Sequence, residues 1–174
     1  MGFTQILAWS STLYLPAVLA SLIAKDTGWS LTLVIAGLSW GFIVMGICSP
    51  KVGRFIEQFG GRKALSISSI FFAIGLLCLG LSSHLLVYYF AWTMLGIGMA
   101  FGLYDAAFST LGRLLGQDAK TAIVGVTLLG GLASTIGWAL IVFFEGLYGW
   151  RIGCFILALF HLLLGLPLHY FLLP

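Results

Sequence analysis

Long apolar runs, interrupted at fairly even intervals by charged residues, glycine and proline, make up most of this chain. Each run is about twenty residues long and apolar on most faces, the length at which an α-helix crosses the hydrocarbon core of a bilayer. The strands of a transmembrane barrel are about ten residues long and alternate polar with apolar positions, so the pattern excludes a barrel. We therefore predict six membrane-spanning helices, at about residues 4–24, 31–50, 64–83, 86–110, 121–144 and 150–172.

The composition strengthens this prediction, because 61% of the residues are hydrophobic and only 7% are charged. A soluble domain has about a quarter of its residues charged. Six spans with short connections use up the 174 residues, so we expect one domain over residues 1–174 with no extramembrane part. The predicted fold class is an all-α, polytopic membrane helix bundle that has the lipid bilayer as its immediate partner.

The basic residues collect on one side of the predicted spans, in the connections that follow the second and fourth. Positively charged connections are typical of the cytoplasmic side, so we expect both termini there and the chain in the cell (plasma) membrane. No positive charge precedes the first span, which we therefore expect to be retained rather than cleaved as a signal peptide. Six of the eight Lys and Arg residues form this set: Lys51, Arg54, Arg62, Lys63, Arg113 and Lys120.

Several other functions are disfavoured by the same pattern. The net charge is +3, but the basic residues lie in short gaps rather than in a surface patch, so we expect no nucleic-acid partner. Cys48, Cys78 and Cys154 lie alone inside apolar runs and are interpreted as packing residues, with no metal site and no cofactor predicted. HExxH, GxSxG and P-loop motifs are absent, so we do not predict an enzyme.

The connection between the second and third predicted spans, residues 53–63, reads GRFIEQFGGRK. It resembles the G-x-x-x-D-R-x-G-R-R/K signature loop of the major facilitator superfamily in spacing, position and side of the membrane. Gln58 and Gly61 depart from that pattern by replacing two arginines. A simple clustering of positive residues would explain the basic end but not the glycine spacing. The residues that follow the pattern are Gly53, Glu57 in place of Asp, Gly60, Arg62 and Lys63.

Further segments carry the resemblance over most of the chain. YGWR at 148–151 is similar to the start of the family's sixth helix, and GIGMA at 96–100 is similar to part of its fourth-helix motif. That motif usually has an Arg where this chain has Trp92, so the resemblance gives no support to proton coupling there. GGLASTIGW at 130–138 is similar to the glycine-rich fifth helix of the family's exporters, although the characteristic proline is missing.

The resemblance implies half of a transporter, built from two inverted three-helix repeats. A full member has two such halves around a central solute site. We therefore expect a transport module that moves a small solute by alternating access, together with a second six-helix half or as a homodimer. The alternative is a membrane protein that does not transport, either an interaction or assembly subunit or an inactive truncated fragment.

Polar and aromatic residues inside the first, fourth and fifth spans are candidates for the substrate cavity. In the first span they recur at helical spacing and make one face polar, which suits a small organic solute bound by stacking and a few hydrogen bonds. The alternative is that Trp and Tyr anchor the helices at the membrane interface while Ser and Thr bond to their own helices. The candidates are Gln5, Trp9, Thr12, Tyr14, Trp92 and Trp138.

Asp105 is the one acidic residue that we place inside a span rather than at its end. Charges at membrane depth are costly and often functional, and the resemblance suggests a pair with Arg62 that holds one gate state. The alternative is a solvated Asp105 at the membrane interface. The predicted gating residues are Gly53, Glu57, Gly60, Arg62, Lys63 and Asp105. His161, in the sixth span, is interpreted as a packing residue hydrogen-bonded to a neighbour.

Overall fold

A computed structural model describes all residues, 1–174, and contains helices but no strands. A 3₁₀ turn at Gly116–Asp118 and a π-helical turn at His161–Gly165 interrupt the α-helical order. The α-helices are α1 (Gly2–Ser10), α2 (Leu15–Thr27), α3 (Leu31–Phe59), α4 (Gly61–Gly80), α5 (Leu85–Gly102), α6 (Tyr104–Leu115), α7 (Ala119–Gly131), α8 (Ala133–Tyr148), α9 (Trp150–Phe160) and α10 (Leu166–Leu172).

Five helical segments are long and apolar enough to cross a membrane. One of them, Leu85–Tyr148, has 64 residues and is therefore long enough for two crossings. The chain reverses direction within this 64-residue segment. A hydrogen bond between residues 23 apart shows this: the Tyr104 hydroxyl at the start of α6 donates to the Thr127 carbonyl of α7 at 3.4 Å. The all-helical membrane architecture is thus confirmed, whereas the count of six crossings and the inverted repeat remain predictions. The five segments are Gly2–Thr27, Leu31–Phe59, Gly61–Gly80, Leu85–Tyr148 and Trp150–Leu172.

The first and fourth predicted spans are each broken, which corrects the expectation of continuous helices over 4–24 and 86–110. Between α1 and α2 the helix stops after Ser10 and restarts at Leu15, with Pro16 in its first turn. Proline has no N–H, and its ring clashes with the carbonyl four residues earlier, which favours an interruption of the helix directly before Pro16. The second break is at Leu103, whose backbone is extended (φ −81°, ψ −171°) directly after a glycine-rich stretch of low helix propensity.

The second predicted span is longer than expected, because α3 continues past Pro50 to Phe59. The segment 53–63 is therefore not an open loop; the turn is made at Gly60, whose φ of +88° favours glycine, and Gly53 lies inside the helix. Arg113 stabilises this extension by donating from its guanidinium to the carbonyls of Ile56 and Glu57 in the last turn of α3. Carbonyls in the last turn of a helix lack a full set of donors from the helix itself, so a cation there is favourable.

The core forms where α4 and α5 pack together, with α3 and α9 against them. Small residues let the backbones approach closely: a Cβ on Gly96 of α5 would lie 2.6 Å from the Gly41 carbonyl oxygen of α3. Gly102 packs in the same way against Ser68 of α4, and Gly137 of α8 against Ser10 of α1. Such contacts are typical of helix packing in membranes, where no hydrophobic difference separates helix surface from lipid.

Arg151 joins three elements at the end of the bundle opposite Gly60. Its guanidinium donates to the carbonyls of Gly80 (3.0 Å) and Ser82 (2.9 Å) and forms an ion pair with Asp26 (3.1 Å). The indole N–H of Trp150 also donates to Asp26, at 3.3 Å. The end of α2, the end of α4 and the start of α9 are thereby held together.

We expect Arg151→Gln to lower the free energy of unfolding by about 2 kcal/mol, because two charge-assisted hydrogen bonds to carbonyls are lost. Asp26→Asn is the matched control: it removes the charge of the ion pair, whose partners are both partly solvated, while its amide oxygen can still accept from Trp150, and it should cost less than about 1 kcal/mol. Denaturation of the purified variants in detergent measures both values. Equal losses would show that the ion pair, rather than the carbonyl contacts, holds this end together.

Candidate functional site

Gln5 of α1 connects the broken first span to the break between α5 and α6. Its side-chain amide donates from Nε2 to the carbonyl oxygen of Gly102 at 2.7 Å, directly before the break at Leu103. Gln5 is 1% exposed, so no solvent competes for this bond. A carbonyl left free by a broken helix is costly in a membrane, and the glutamine of α1 supplies the missing donor.

Three aromatic rings, which we call the Trp9 cluster, adjoin this contact. Trp9 donates from Nε1 to Oε1 of Gln5 at 3.1 Å and lies 4.8 Å from the Tyr104 ring, centroid to centroid. Tyr104 in turn stacks on Phe108 at 5.0 Å. All three side chains of the cluster are half-buried, so their rings remain partly accessible. The arrangement offers aromatic faces, held in place by the Gln5 amide, and such faces suit an organic solute.

The predicted cavity residues divide into two groups. Gln5 and Trp9 are in direct contact, and Thr12 and Tyr14 lie at the adjacent break between α1 and α2. Thr12 is buried, and its hydroxyl donates to the Ala8 carbonyl at 2.7 Å. This bond agrees with the alternative in which threonines of the spans bond to their own helices. Trp138, on α8, is 47% exposed and stacks on no other ring.

Trp92 does not contact the Trp9 cluster in this structure, and its role in a substrate cavity stays a prediction. It is 1% exposed and fills the interface between α5 and α3, where its indole lies against Gly37. Its Nε1 has no hydrogen-bond partner in the chain. The neighbouring Tyr88 donates its hydroxyl to the Val34 carbonyl of α3 at 2.6 Å, which fastens the same interface. Both rings therefore act in helix packing.

The expected ion pair between Asp105 and Arg62 is not formed in this structure, where Asp26–Arg151 is the one ion pair. Arg62 instead lies 5.6 Å from the centre of the Tyr170 ring of α10. Asp105 is exposed in the first turn of α6, where the helix dipole favours a carboxylate. Glu57 and Lys63 are exposed as well, with Lys63 above the Phe59 ring at 5.6 Å. The gating role of these residues stays a prediction.

Two buried histidines of the last predicted span bind hydroxyl groups of other helices. His161 pairs through Nε2 with the Ser11 hydroxyl at 2.8 Å, in agreement with its interpretation as a hydrogen-bonded packing residue. His169 contacts the hydroxyls of Ser69 (3.1 Å) and Thr4 (2.8 Å). These bonds connect the last span to α1 and α4 without any charged partner.

Sequence reasoning missed Tyr104, Arg113 and His169. Tyr104 comes directly after a glycine-rich stretch, and a tyrosine in that position could have indicated a helix break. His169 could have been found as a second histidine in an otherwise apolar span. Arg113 carried no signal, because its partners are backbone carbonyls 56 and 57 residues away.

Apolar helices of membrane-spanning length, joined by buried polar contacts, define a multi-pass helical membrane protein. The family model described as Major Facilitator Superfamily matches residues 1–174, and the chain belongs to this family. The chain is also similar to Multidrug resistance protein 2 of Bacillus subtilis (strain 168), with 29% identity over 73 residues. The match covers 38% of this chain but only 18% of that relative's length.

Proposed function

We propose that this chain is a transport module of a secondary transporter that moves a small organic solute by alternating access. The observation that carries the proposal is the contact between the two broken helices, where Gln5 binds the Gly102 carbonyl beside the Trp9 cluster. Interrupted helices that meet near the middle of the membrane are typical of solute sites in secondary transporters. The proposed orientation is six crossings in the plasma membrane with both termini cytoplasmic.

The chemistry of the site favours a planar or cationic organic solute. Aromatic rings bind flat molecules by stacking and cations through the ring face, and the Trp9 cluster contains no charged side chain that would demand an anion. The name of the similar multidrug resistance protein is consistent with solutes of this kind.

A second half is part of the proposed mechanism, because the rings of the Trp9 cluster are only half-buried in this chain. A second six-helix half, or a second copy in parallel orientation, would cover the open side of Trp9, Tyr14 and Tyr104. Rocking of the two halves would then expose the cluster alternately to the two sides of the membrane.

The second candidate is a membrane interaction or assembly subunit, or an inactive fragment, that keeps the fold without transporting. It is favoured by one observation: Glu57, Arg62 and Asp105 are exposed and form no ion pair, as expected if no gate operates. The two candidates differ in whether the Trp9 cluster binds a solute.

The test is binding and uptake of a fluorescent planar cation by the chain in liposomes, alone and with a second half. We expect saturable uptake only with a second half or second copy, and about tenfold weaker binding in Trp9→Ala, since a stacking and a cation–π contact are lost. Trp40→Ala, at an exposed tryptophan of α3, is the control and should change binding less than about twofold.

Equal effects of the two tryptophan substitutions would reject the site. Saturable uptake by a strictly monomeric preparation would reject the need for a second half. Failure to bind any planar cation, in a preparation that melts cooperatively, would favour the interaction subunit.

A further inference from the structure

A cavity of about 630 Å³ lies between the start of α4 and α10, away from the Trp9 cluster. At one end it is lined by Arg62 and Lys63, and along its length by apolar side chains that include Ile67 and Ile70. No acidic residue lines it. The cavity therefore combines a cationic end with an apolar body.

Both cations are available to a ligand. Arg62 and Lys63 are exposed and belong to no ion pair, and their closest aromatic neighbours are the rings of Tyr170 and Phe59, each at 5.6 Å. Adjacent guanidinium and ammonium groups without a carboxylate nearby attract a phosphate, which the guanidinium can bind through two oxygens.

The apolar wall runs from the charged end toward the middle of the membrane. Arg62 and Ile70 are eight residues apart on α4, which corresponds to about 12 Å at the helical rise of about 1.5 Å per residue. Leu166 and Phe171 of α10 form the opposite wall. A groove of this length accommodates the upper part of a fatty acyl chain and is far too apolar for a soluble phosphate compound.

Ser66 supplies a second, independent observation at the same place. It lines the cavity one turn above Arg62, is 8% exposed, and its hydroxyl has no hydrogen-bond partner in the chain. Buried hydroxyl groups are nearly always paired. An ester or phosphate oxygen of a ligand would supply the missing acceptor.

We propose that this groove binds one anionic phospholipid of the surrounding bilayer. The phosphate lies on Arg62 and Lys63, the glycerol ester region is next to Ser66, and one acyl chain follows Ile67 and Ile70. Basic pockets between membrane helices on the cytoplasmic side are suited to anionic head groups, and the predicted orientation puts this end of α4 in the cytoplasmic leaflet. The proposal does not depend on transport, since lipid binding is measured directly.

The test is native mass spectrometry of the purified chain with phosphatidylglycerol and with phosphatidylcholine of the same acyl chains. We expect phosphatidylglycerol to bind at least tenfold more tightly than phosphatidylcholine, and Arg62→Gln with Lys63→Gln to remove this preference. The matched control is Lys51→Gln with Arg54→Gln, which makes the same charge change at the same end outside the groove. The affinity of this control pair for phosphatidylglycerol should stay within twofold of that of the unaltered chain.

Two further measurements distinguish a bound phospholipid from a soluble phosphate compound. Ile70→Trp fills the groove while both cations remain, and should weaken phosphatidylglycerol binding at least fivefold; Ile70 is exposed, so the larger ring does not disturb the core. Glycerol 3-phosphate, which has the phosphate but no acyl chain, should not displace the lipid at millimolar concentration.

The proposal is overturned if phosphatidylcholine binds as tightly as phosphatidylglycerol, or if the control pair loses as much binding as the pair at 62 and 63. It is also overturned if glycerol 3-phosphate displaces the lipid, or if Ile70→Trp binds normally. If the double substitution at 62 and 63 does not give folded protein, Ile70→Trp and the control pair decide the question.

Discussion

Gly96→Val is expected to destabilise the fold by about 3 kcal/mol, because the new side chain has no room between α5 and α3. Its Cβ would lie 2.6 Å from the Gly41 carbonyl oxygen, and a backbone atom cannot move aside as a flexible side chain can. Overpacking of this kind costs about 1–3 kcal/mol or more. For a chain of this size, that corresponds to a fall of about 9 °C in Tm.

Gly46→Val is the matched control, since Gly46 lies within α3 but a Cβ there meets nothing within 4 Å. Its Tm should stay within about 2 °C of the unaltered chain. The measurement is thermal unfolding of both variants in the same detergent. A similar fall for both would mean that valine acts through helix propensity, and the close contact of α3 and α5 would not be what limits stability.

Gln5→Leu is expected to cost about 3 kcal/mol, because it leaves two polar groups without partners. The buried Gly102 carbonyl loses a 2.7 Å bond and the half-buried Trp9 indole loses a 3.1 Å bond; an unpaired buried group costs about 1–3 kcal/mol, and a half-buried one costs less. Leucine has nearly the same size, so the loss reports hydrogen bonding rather than volume. Gln58→Leu, at an exposed glutamine, should change stability by less than about 0.5 kcal/mol.

A double-mutant cycle with Trp9→Phe separates the two contacts of Gln5. If Gln5 and Trp9 act together, the coupling energy should be about 1 kcal/mol, within the range typical of residues in contact. Additive losses would show that the Gly102 carbonyl alone accounts for the effect, and that Trp9 is held by packing on Tyr104.

The helical membrane fold and the family could be predicted because they depend on local patterns. Apolar runs separated by charge mark the segments that enter the bilayer, and the glycine and basic positions of residues 53–63 carried the resemblance that the family match confirmed. Helix boundaries depend on more than the local pattern. The second span was predicted to end at residue 50, but Arg113, distant in sequence, binds the last carbonyls of α3 and the helix continues to Phe59.

The candidate site was predicted only in part. Gln5 and Trp9 share one helix face, so their periodicity was visible along the chain. Tyr104 joins them through the fold, across nearly a hundred residues, and no local spacing records such a contact. Trp92 and Trp9 are both tryptophans inside predicted spans, so the sequence does not distinguish them. Whether an indole faces a cavity or a neighbouring helix depends on what packs against it. Gly37 of α3 packs against the indole of Trp92.

The sequence by itself determined that this is an all-helical membrane protein of the Major Facilitator Superfamily, since apolar run length and motif spacing are properties of continuous segments. Only the tertiary structure determined which helix breaks become part of a site and which residues meet there. Pro16 favours a helix break between α1 and α2, but the broken span becomes part of a site because Gln5 of the same span reaches the carbonyl of Gly102. The same holds for Arg62. The sequence gives its charge, but whether its guanidinium faces Asp105 or Tyr170 depends on the packing of α4 against α10.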